Sequence, residues 1–271
     1  MRKLHLLLLF ISILFIACQP KVDPNKNPNK ELSQSEHLVM SADWFQKSAE
    51  MRASFYQAYN LASYKLKEHV NNYKGEKPTA VVLDIDETVL DNSPFEKHLI
   101  DKGELYNSAG WKEWTDKGAA KKLPGALEFT NYAKELGVEV IYISNRKVNE
   151  LEKTIENLKA AGFPNAAKEF VILREMDKSG NKTERRNNVN EKYETLLYVG
   201  DNLTDYSQIF SDRGEDLGFK IVDEYKSDFG EKFILLPNPM YGEWEGAIYG
   251  NDYSLAPEKK RALRKQILEG Y

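Results

Sequence analysis

From residue 79 onward, short apolar runs rich in β-branched residues alternate with amphipathic segments. The apolar runs are 79–83, 138–143, 169–173 and 195–199, and the helical segments between them include 124–136 and 149–161. Strands that consist of continuous apolar runs and alternate with helices are typical of a parallel sheet covered on both faces. We therefore predict an α/β fold with a Rossmann-like parallel sheet. The runs 219–222 and 233–236 are expected to extend this sheet, and 257–268 is expected to form a closing helix.

Two further segments do not fit the alternating pattern. Between 41 and 73, apolar residues recur at three- and four-residue intervals without Pro or Gly, which predicts a helix. The stretch 91–123 is too long for a tight connection between a strand and a helix, and it carries Trp111 and Trp114. Long insertions in compact domains are often lids or binding loops. We predict that 37–75 and 91–123 form a smaller, largely helical cap over the carboxyl edge of the sheet.

The N-terminus has the pattern of a bacterial export signal. Arg2 and Lys3 precede an apolar run at 4–16, which is shorter than the roughly 20 residues of a membrane-spanning helix. The run ends in Phe15-Ile16-Ala17-Cys18, which resembles the lipobox of bacterial lipoproteins. The alternative is an ordinary secretory signal with an incidental cysteine.

The segment after Cys18 has the composition of a linker. It contains three prolines and almost no apolar side chains up to about residue 35, so it buries too little surface to offset its ordering entropy. We predict a lipoprotein signal peptide and lipobox at 1–18, a flexible tether at 19–36 and a folded domain at 37–271. The lipid anchor is expected to hold the chain at the cell envelope, in the outer membrane of a Gram-negative bacterium.

Composition excludes several kinds of site. Cys18 is the only cysteine, so the folded domain can contain no disulfide framework, zinc-finger ligand set or catalytic cysteine. The net charge is −4, and nucleic-acid binding needs a clustered basic face, so no nucleic-acid partner is expected.

Polar residues follow three of the predicted strands. Asp84 and Asp86 come after the first run, Ser144 after the second, and Asp201 and Asp205 after the fourth. Ligands of open α/β sheets bind at the carboxyl ends of the strands, so these side chains should converge. Carboxylates gathered at one point repel each other unless a cation balances them. Hard oxygen ligands predict that this cation is Mg²⁺.

The same residues carry a family resemblance. The segment 82–91 contains Asp84-Ile85-Asp86-Glu87-Thr88 and resembles the D-x-D-x-T signature of haloacid-dehalogenase-type phosphatases, while Ser144-Asn145-Arg146 and 200–205 resemble two further motifs. The flanking residues are similar to those of bacterial class C acid phosphatases of the lipoprotein-e type, from about Leu38 to the C-terminus. The resemblance implies a haloacid dehalogenase-like fold and a phosphatase domain at 37–271.

The resemblance also implies catalytic and metal-binding roles. Asp84 would be the nucleophile that forms an aspartyl phosphate, and Asp86 would give a proton to the leaving oxygen and later take one from water. Mg²⁺ would be held by the Asp84 carboxylate, the backbone carbonyl of Asp86 and the Asp201 carboxylate. Asp205 would support this metal site from its outer shell or through water.

A phosphate-binding set follows from the second and third motifs. Ser144, Asn145 and a lysine would orient and neutralise the phosphoryl oxygens. The lysine is assigned to Lys182, with Lys178 as the alternative, because the segment before Lys182 is one residue longer than the family pattern. The neighbouring pair Arg185-Arg186 is interpreted as solvated charge, and His37 as a residue outside the site.

Two aromatic residues suggest the substrate. Trp111 and Tyr241 match aromatic positions that border the family's site, where they would either stack a nucleobase or join the cap to the core. The sequence thus predicts a Mg²⁺-dependent acid phosphatase for small phosphomonoesters, with nucleoside 5′-monophosphates as the expected substrates. The alternative is a non-catalytic surface lipoprotein that binds a ligand such as haem. Membrane contact is expected through the anchor alone, and the choice between monomer and homodimer is left open.

Overall fold

The apolar runs of the sequence form one five-stranded sheet. The computed structural model describes residues 33–271, which form a single compact unit. The strands are β1 (Thr79–Leu83), β2 (Leu90–Asp91), β3 (Lys121–Lys122), β4 (Glu139–Lys147), β5 (Val171–Arg174), β6 (Glu194–Gly200) and β7 (Phe233–Leu235). The main sheet has the order β5-β4-β1-β6-β7 with every pair parallel, and β2 pairs with β3 in a small antiparallel ribbon. The predicted α/β fold with a Rossmann-like parallel sheet is confirmed.

Helices supply the rest of the architecture. They are α1 (Val39–Lys47), α2 (Ala49–Asn72), α3 (Ser93–Lys102), α4 (Ser108–Asp116), α5 (Ala126–Glu135), α6 (Leu151–Ala160), α7 (Thr183–Lys192), α8 (Phe219–Glu224), α9 (Glu243–Ile248) and α10 (Pro257–Gln266), with 3₁₀ turns at Glu36–Leu38, Val148–Glu150, Leu203–Asp205 and Gln208–Ser211. The expected closing helix is α10. The expectation that 219–222 extends the sheet is wrong, because this run forms α8.

The sheet is covered on both faces, as the alternation along its central strand shows. Val81 and Leu83 of β1 point into a core that includes residues of α2, α5 and α6. Ala80 and Val82 point into a second core that includes Val189 of α7. Because both faces are buried, every position of these strands except the edges must be apolar, which explains their continuous apolar runs.

Helix α2 belongs to the first of these layers and not to a cap. Its Phe55, Tyr59 and Leu66 are buried in the core beside the sheet, and the Tyr59 hydroxyl donates to the backbone oxygen of Thr88 at 2.7 Å. Ser48 separates α2 from α1 and accepts a hydrogen bond from the backbone N–H of Met51, as helix N-caps do. The predicted cap segment 37–75 is therefore wrong for most of its length. The segment 91–123 forms β2, α3, α4 and β3.

The predicted N-terminal features fall at the border of the described residues. The signal peptide at 1–18, Cys18 and most of the tether at 19–36 lie outside them. The last tether residues are folded, since Ser35 is buried and donates to the backbone oxygen of Leu99 at 3.0 Å. Within 33–271, no helix has both the length and the apolar character needed to cross a bilayer.

Candidate active site

The acidic residues predicted to converge do so at the carboxyl edge of the sheet. Asp84 follows β1, Asp201 follows β6, and Asp205 closes the 3₁₀ turn after β6. One carboxylate oxygen from each of these three residues lies within 4.8 Å of the others. Asp86 lies outside this group, although it borders the same cavity of about 710 Å³.

Lys182 bridges two of the three carboxylates. Its ammonium donates to Asp84 Oδ1, to Asp205 Oδ1 at 2.6 Å and to the backbone oxygen of Ile143 at 2.8 Å, and its side chain is 4% exposed. Lys178, the alternative, is exposed. The structure therefore brings Lys182 to the acidic cluster.

The cluster carries more negative charge than Lys182 neutralises. Burial raises the pKa of Asp84 to about 7; the ammonium of Lys182 opposes this rise, and Asp205 and Asp86 add to it. Burial also raises the pKa of Asp201, with Asp205 and Asp84 as further causes. Burial alone would lower the pKa of Lys182, but its two carboxylate partners outweigh burial and raise it.

These donors fit a divalent cation. Three carboxylates face one ammonium, so a doubly charged ion would balance the excess, and carboxylate oxygens are hard ligands. Asn238 donates to Asp201 Oδ2 at 2.9 Å and fixes the orientation of that carboxylate. Asp84, Asp201 and Asp205 are the residues that could hold the ion.

Asp86 is held by a separate network. Arg146 donates to Asp86 Oδ1 through Nε at 2.9 Å, and the Asn92 amide donates to the same oxygen at 2.9 Å. The Ser144 hydroxyl donates to Asp86 Oδ2 at 3.1 Å. Ser144 is fully buried and lies inside β4, which continues to Lys147, and its hydroxyl orients Asp86. The expected contact of Ser144 with phosphoryl oxygens stays a prediction.

Asn145 reaches the cavity beside an arginine. It is exposed, and Arg185 donates to its Oδ1 at 2.7 Å and to the backbone oxygen of Ser144 at 2.6 Å. Burial lowers the pKa of Arg185 to about 10. Arg186 is buried and donates to the backbone oxygen of Thr204 at 2.6 Å. The interpretation of Arg185-Arg186 as solvated charge is therefore wrong.

Trp111 and Tyr241 border the same cavity as Asp84. The Trp111 ring meets the Phe95 ring edge-on at 5.3 Å between centroids, and the Arg146 guanidinium lies 5.8 Å from its centroid. Trp111 comes from α4 and Tyr241 from the loop before α9. Both aromatic residues are partly exposed.

Comparison with known proteins decides the family. A family model described as HAD superfamily, subfamily IIIB (acid phosphatase) matches residues 18–244. The chain belongs to this family. The family membership predicted from the motifs is confirmed, and the chain is a class C acid phosphatase by family.

Solved structures of class C acid phosphatases agree with this fold. The enzyme from Bacillus anthracis is 38% identical, with a TM-score of 0.84, and the match covers 89% of this chain and 100% of that one. A second structure of that enzyme, with tungstate bound, is 37% identical over the same shares, again with a TM-score of 0.84.

Curated plant relatives match over a shorter length. A stem 31 kDa glycoprotein of Glycine max is 31% identical over 59% of this chain and 58% of its own length. Acid phosphatase 1 of Solanum lycopersicum is 29% identical over 59% of this chain and 57% of its own. The alignment thus spans less than two thirds of these relatives.

Several site residues of this class C acid phosphatase were not selected from the sequence. Asn92 and Arg146 bind Asp86, Asn238 binds Asp201, and His37 borders the cavity. The first three lie in the stretch from about Leu38 to the C-terminus that is similar to class C acid phosphatases, and this similarity was the available signal. His37 had none, because it enters the site from the 3₁₀ turn before α1, far from every motif.

Proposed function

We propose that this class C acid phosphatase is a Mg²⁺-dependent enzyme that hydrolyses phosphomonoesters, with nucleoside 5′-monophosphates as its preferred substrates. One observation carries the proposal. The cluster of Asp84, Asp201, Asp205 and Lys182 lies on a cavity that two aromatic side chains also border. Such a cavity offers a nucleophile, a cation site and a flat apolar surface to one ligand.

The reaction follows from the positions of Asp84 and Asp86. An oxygen of Asp84 attacks phosphorus, the ester P–O bond breaks, and Asp86 gives its proton to the leaving oxygen. Water then attacks the aspartyl phosphate while Asp86 takes a proton from it, which releases inorganic phosphate and restores Asp84. Arg146 and Asn92 hold Asp86 in place for both steps.

Lys182 and the carboxylates provide the charges around the phosphoryl group. Lys182 faces Asp84 and can neutralise a phosphoryl oxygen that approaches it. A divalent cation bound by Asp84, Asp201 and Asp205 would supply further positive charge next to the phosphoryl oxygens. Mg²⁺ is proposed because its preferred ligands are carboxylates, carbonyls and water.

Metal removal tests the proposal. Protein freed of metal with EDTA is expected to lose at least about a hundredfold in kcat on a phosphomonoester, since a bound cation contributes several kcal/mol to stabilising the charge. Added Mg²⁺ should restore the rate. The control is EDTA already saturated with Mg²⁺, which should not inhibit. Full turnover by protein shown to be metal-free would contradict the metal dependence, and no turnover under any condition would contradict the enzyme.

Stacking on Trp111 tests the substrate preference. Base stacking on an aromatic residue contributes about 1–3 kcal/mol. Trp111→Ala is expected to raise KM for AMP about tenfold while KM for glycerol phosphate stays unchanged, and Trp111→Phe should retain most of the affinity for AMP. Steady-state kinetics with both substrates measures this. An equal loss for both would mean that Trp111 packs against Phe95 without contacting the base.

The haem-binding alternative receives less support. His37 is the histidine of the described residues that borders the cavity. Its Nδ1 lies 3.0 Å from the backbone oxygen of Gln34, and its Nε2 lies 3.8 Å from Glu245 Oε1, so both ring nitrogens already have neighbours. Lipidation at Cys18 and the location at the cell envelope stay predictions from the sequence.

A further inference from the structure

Glu96 is a buried acidic side chain without a hydrogen-bond partner. The described residues contain five buried acidic side chains, and Glu96 is 5% exposed. The other four, Asp84, Glu87, Glu150 and Asp205, each accept at least one hydrogen bond from the protein, although Glu87 Oε2 has no partner. Glu96 accepts none among residues 33–271, and it borders the large cavity. Its carboxyl oxygens are not sealed from solvent, so they are open to the cavity, where water or a bound ligand can meet them.

Glu96 borders the same cavity as Asp84 and comes from the helix that begins beside Asp86. It belongs to the first turn of α3, four residues after Asn92, whose amide contacts Asp86 at 2.9 Å. Four residues of helix rise about 6 Å. The preceding residue, Phe95, contacts the ring of Trp111. Glu96 is therefore next in sequence to a residue that packs against Trp111, and it borders the same cavity as Trp111.

The charged groups around Glu96 do not neutralise it. Apart from the acidic cluster, Lys182 and Asp86, the other ionisable side chains that border the cavity are His37, Tyr106, Arg146, Arg174, Tyr241, Glu243, Glu245, Tyr249, Tyr253, Lys260 and Arg264. Arg264 is paired with Glu245 at 3.3 Å, and Lys260 lies over the Tyr249 ring. Burial, followed by Arg264, lowers the pKa of His37, which favours its neutral form.

These surroundings favour the neutral form of Glu96. Burial raises its pKa to about 7, and the charge of Glu245 adds to the rise. A neutral carboxylic acid offers one O–H donor and one carbonyl acceptor side by side. Its complement is a planar group with an acceptor next to an N–H donor, such as the amino edge of adenine.

We propose that Glu96 is a specificity-determining residue that forms a paired hydrogen bond, as a neutral acid, with the donor–acceptor edge of a nucleobase. This inference rests on the proposed nucleotide substrate and deepens it. Trp111 would bind any base by its face, whereas Glu96 would select the base by its edge.

The test compares two substrates that share a phosphate and a ribose. AMP carries the base, ribose 5-phosphate does not, and the ratio of their kcat/KM values isolates the contribution of the base. Glu96→Leu is expected to lower this ratio about tenfold, as the loss of a hydrogen bond predicts, without changing the rate on ribose 5-phosphate. Glu96→Gln, which keeps one donor and one acceptor, should retain the ratio at pH 5.5.

The pH dependence separates this role from a structural one. Below pH 7 the wild-type Glu96 keeps its proton, and above pH 7 it loses its donor and becomes negative. The ratio for wild type should therefore fall as pH rises from 6 to 8, whereas the ratio for Glu96→Gln should stay flat. Titration of the substrate phosphate and of Asp84 affects both substrates and cancels in the ratio.

Two results would overturn the inference. The first is an unchanged ratio of kcat/KM for AMP to that for ribose 5-phosphate in Glu96→Leu. The second is the same pH profile of this ratio in wild type and in Glu96→Gln, and it decides the question if Glu96→Leu does not fold. If wild type hydrolyses neither substrate, the proposed function fails on its own. The role of Glu96 is then decided by calorimetry, which measures the binding of AMP and of ribose 5-phosphate to the wild-type and Glu96→Gln proteins. Tighter binding of AMP that depends on pH in wild type alone would support it, and equal binding would overturn it.

Discussion

Asp84→Asn is expected to reduce turnover by roughly four orders of magnitude, because removal of a catalytic nucleophile closes the two-step route. The amide cannot attack phosphorus, although it still has an oxygen to accept the hydrogen bond of Lys182. The fold should stay intact, since the substitution also removes one of three mutually repelling carboxylates. The measurement is kcat with AMP, combined with a thermal unfolding curve.

A surface aspartate provides the matched control. Asp116→Asn removes a charge from an exposed ion pair with Lys112 on α4, and both its rate and its stability should stay close to wild type. Intact-mass spectrometry of rapidly quenched reactions should find a phosphorylated species in wild type and none in Asp84→Asn. A folded Asp84→Asn enzyme with wild-type turnover would refute the nucleophile assignment.

Lys182→Met is expected to damage both stability and activity. Removing one partner of a buried charge pair typically costs about 3–5 kcal/mol, and here Asp84 and Asp205 would face each other without the ammonium between them. Loss of a positive charge at the phosphoryl group should lower kcat by about 10²–10³-fold. Urea unfolding of metal-free protein measures the loss in the free energy of unfolding, and steady-state kinetics with saturating Mg²⁺ measures the loss in kcat.

Lys178→Met is the control for this prediction. Lys178 is exposed on the loop that leads to Lys182, so its replacement should change the free energy of unfolding by less than about 0.5 kcal/mol. Similar losses in both variants would show that the loop, and not the ammonium of Lys182, is responsible. A full rate in Lys182→Met would contradict its assignment to phosphate binding.

The acidic cluster was predictable from the sequence because its signals are local. Asp84 and Asp201 each follow a continuous apolar run, and parallel strands bring their carboxyl ends to one edge. The choice between Lys182 and Lys178 was not local. It depends on how the loop before α7 returns to the sheet, and this loop brings Lys182 into contact with Asp84 and Ile143 while Lys178 stays exposed.

The errors also have physical causes. The run 219–222 holds three apolar residues and Lys220, too short a pattern to distinguish a strand from a helical turn, and none of its residues is buried in α8. Arg185 and Arg186 were interpreted as solvated because each has a backbone oxygen as a partner, that of Ser144 for Arg185 and that of Thr204 for Arg186. Every residue has a backbone oxygen, so the sequence does not show which one an arginine will contact. The long amphipathic segment 49–72 could have covered either a sheet or a cap, since periodicity shows a buried face without showing what buries it.

The central position of β1 determines how late the active site can form as the chain folds. Ala80 pairs with Glu139 on one side, and Thr79 pairs with Glu194 on the other, so both neighbours of this strand lie far along the chain. Such distant pairings require the closure of long loops and slow the folding of a domain. Asp84 therefore cannot meet Asp201 until β6 has joined the sheet, so a growing chain stays inactive at least until the residues through Asp205 are available. Recovery of phosphatase activity would report the last large step of folding rather than the first.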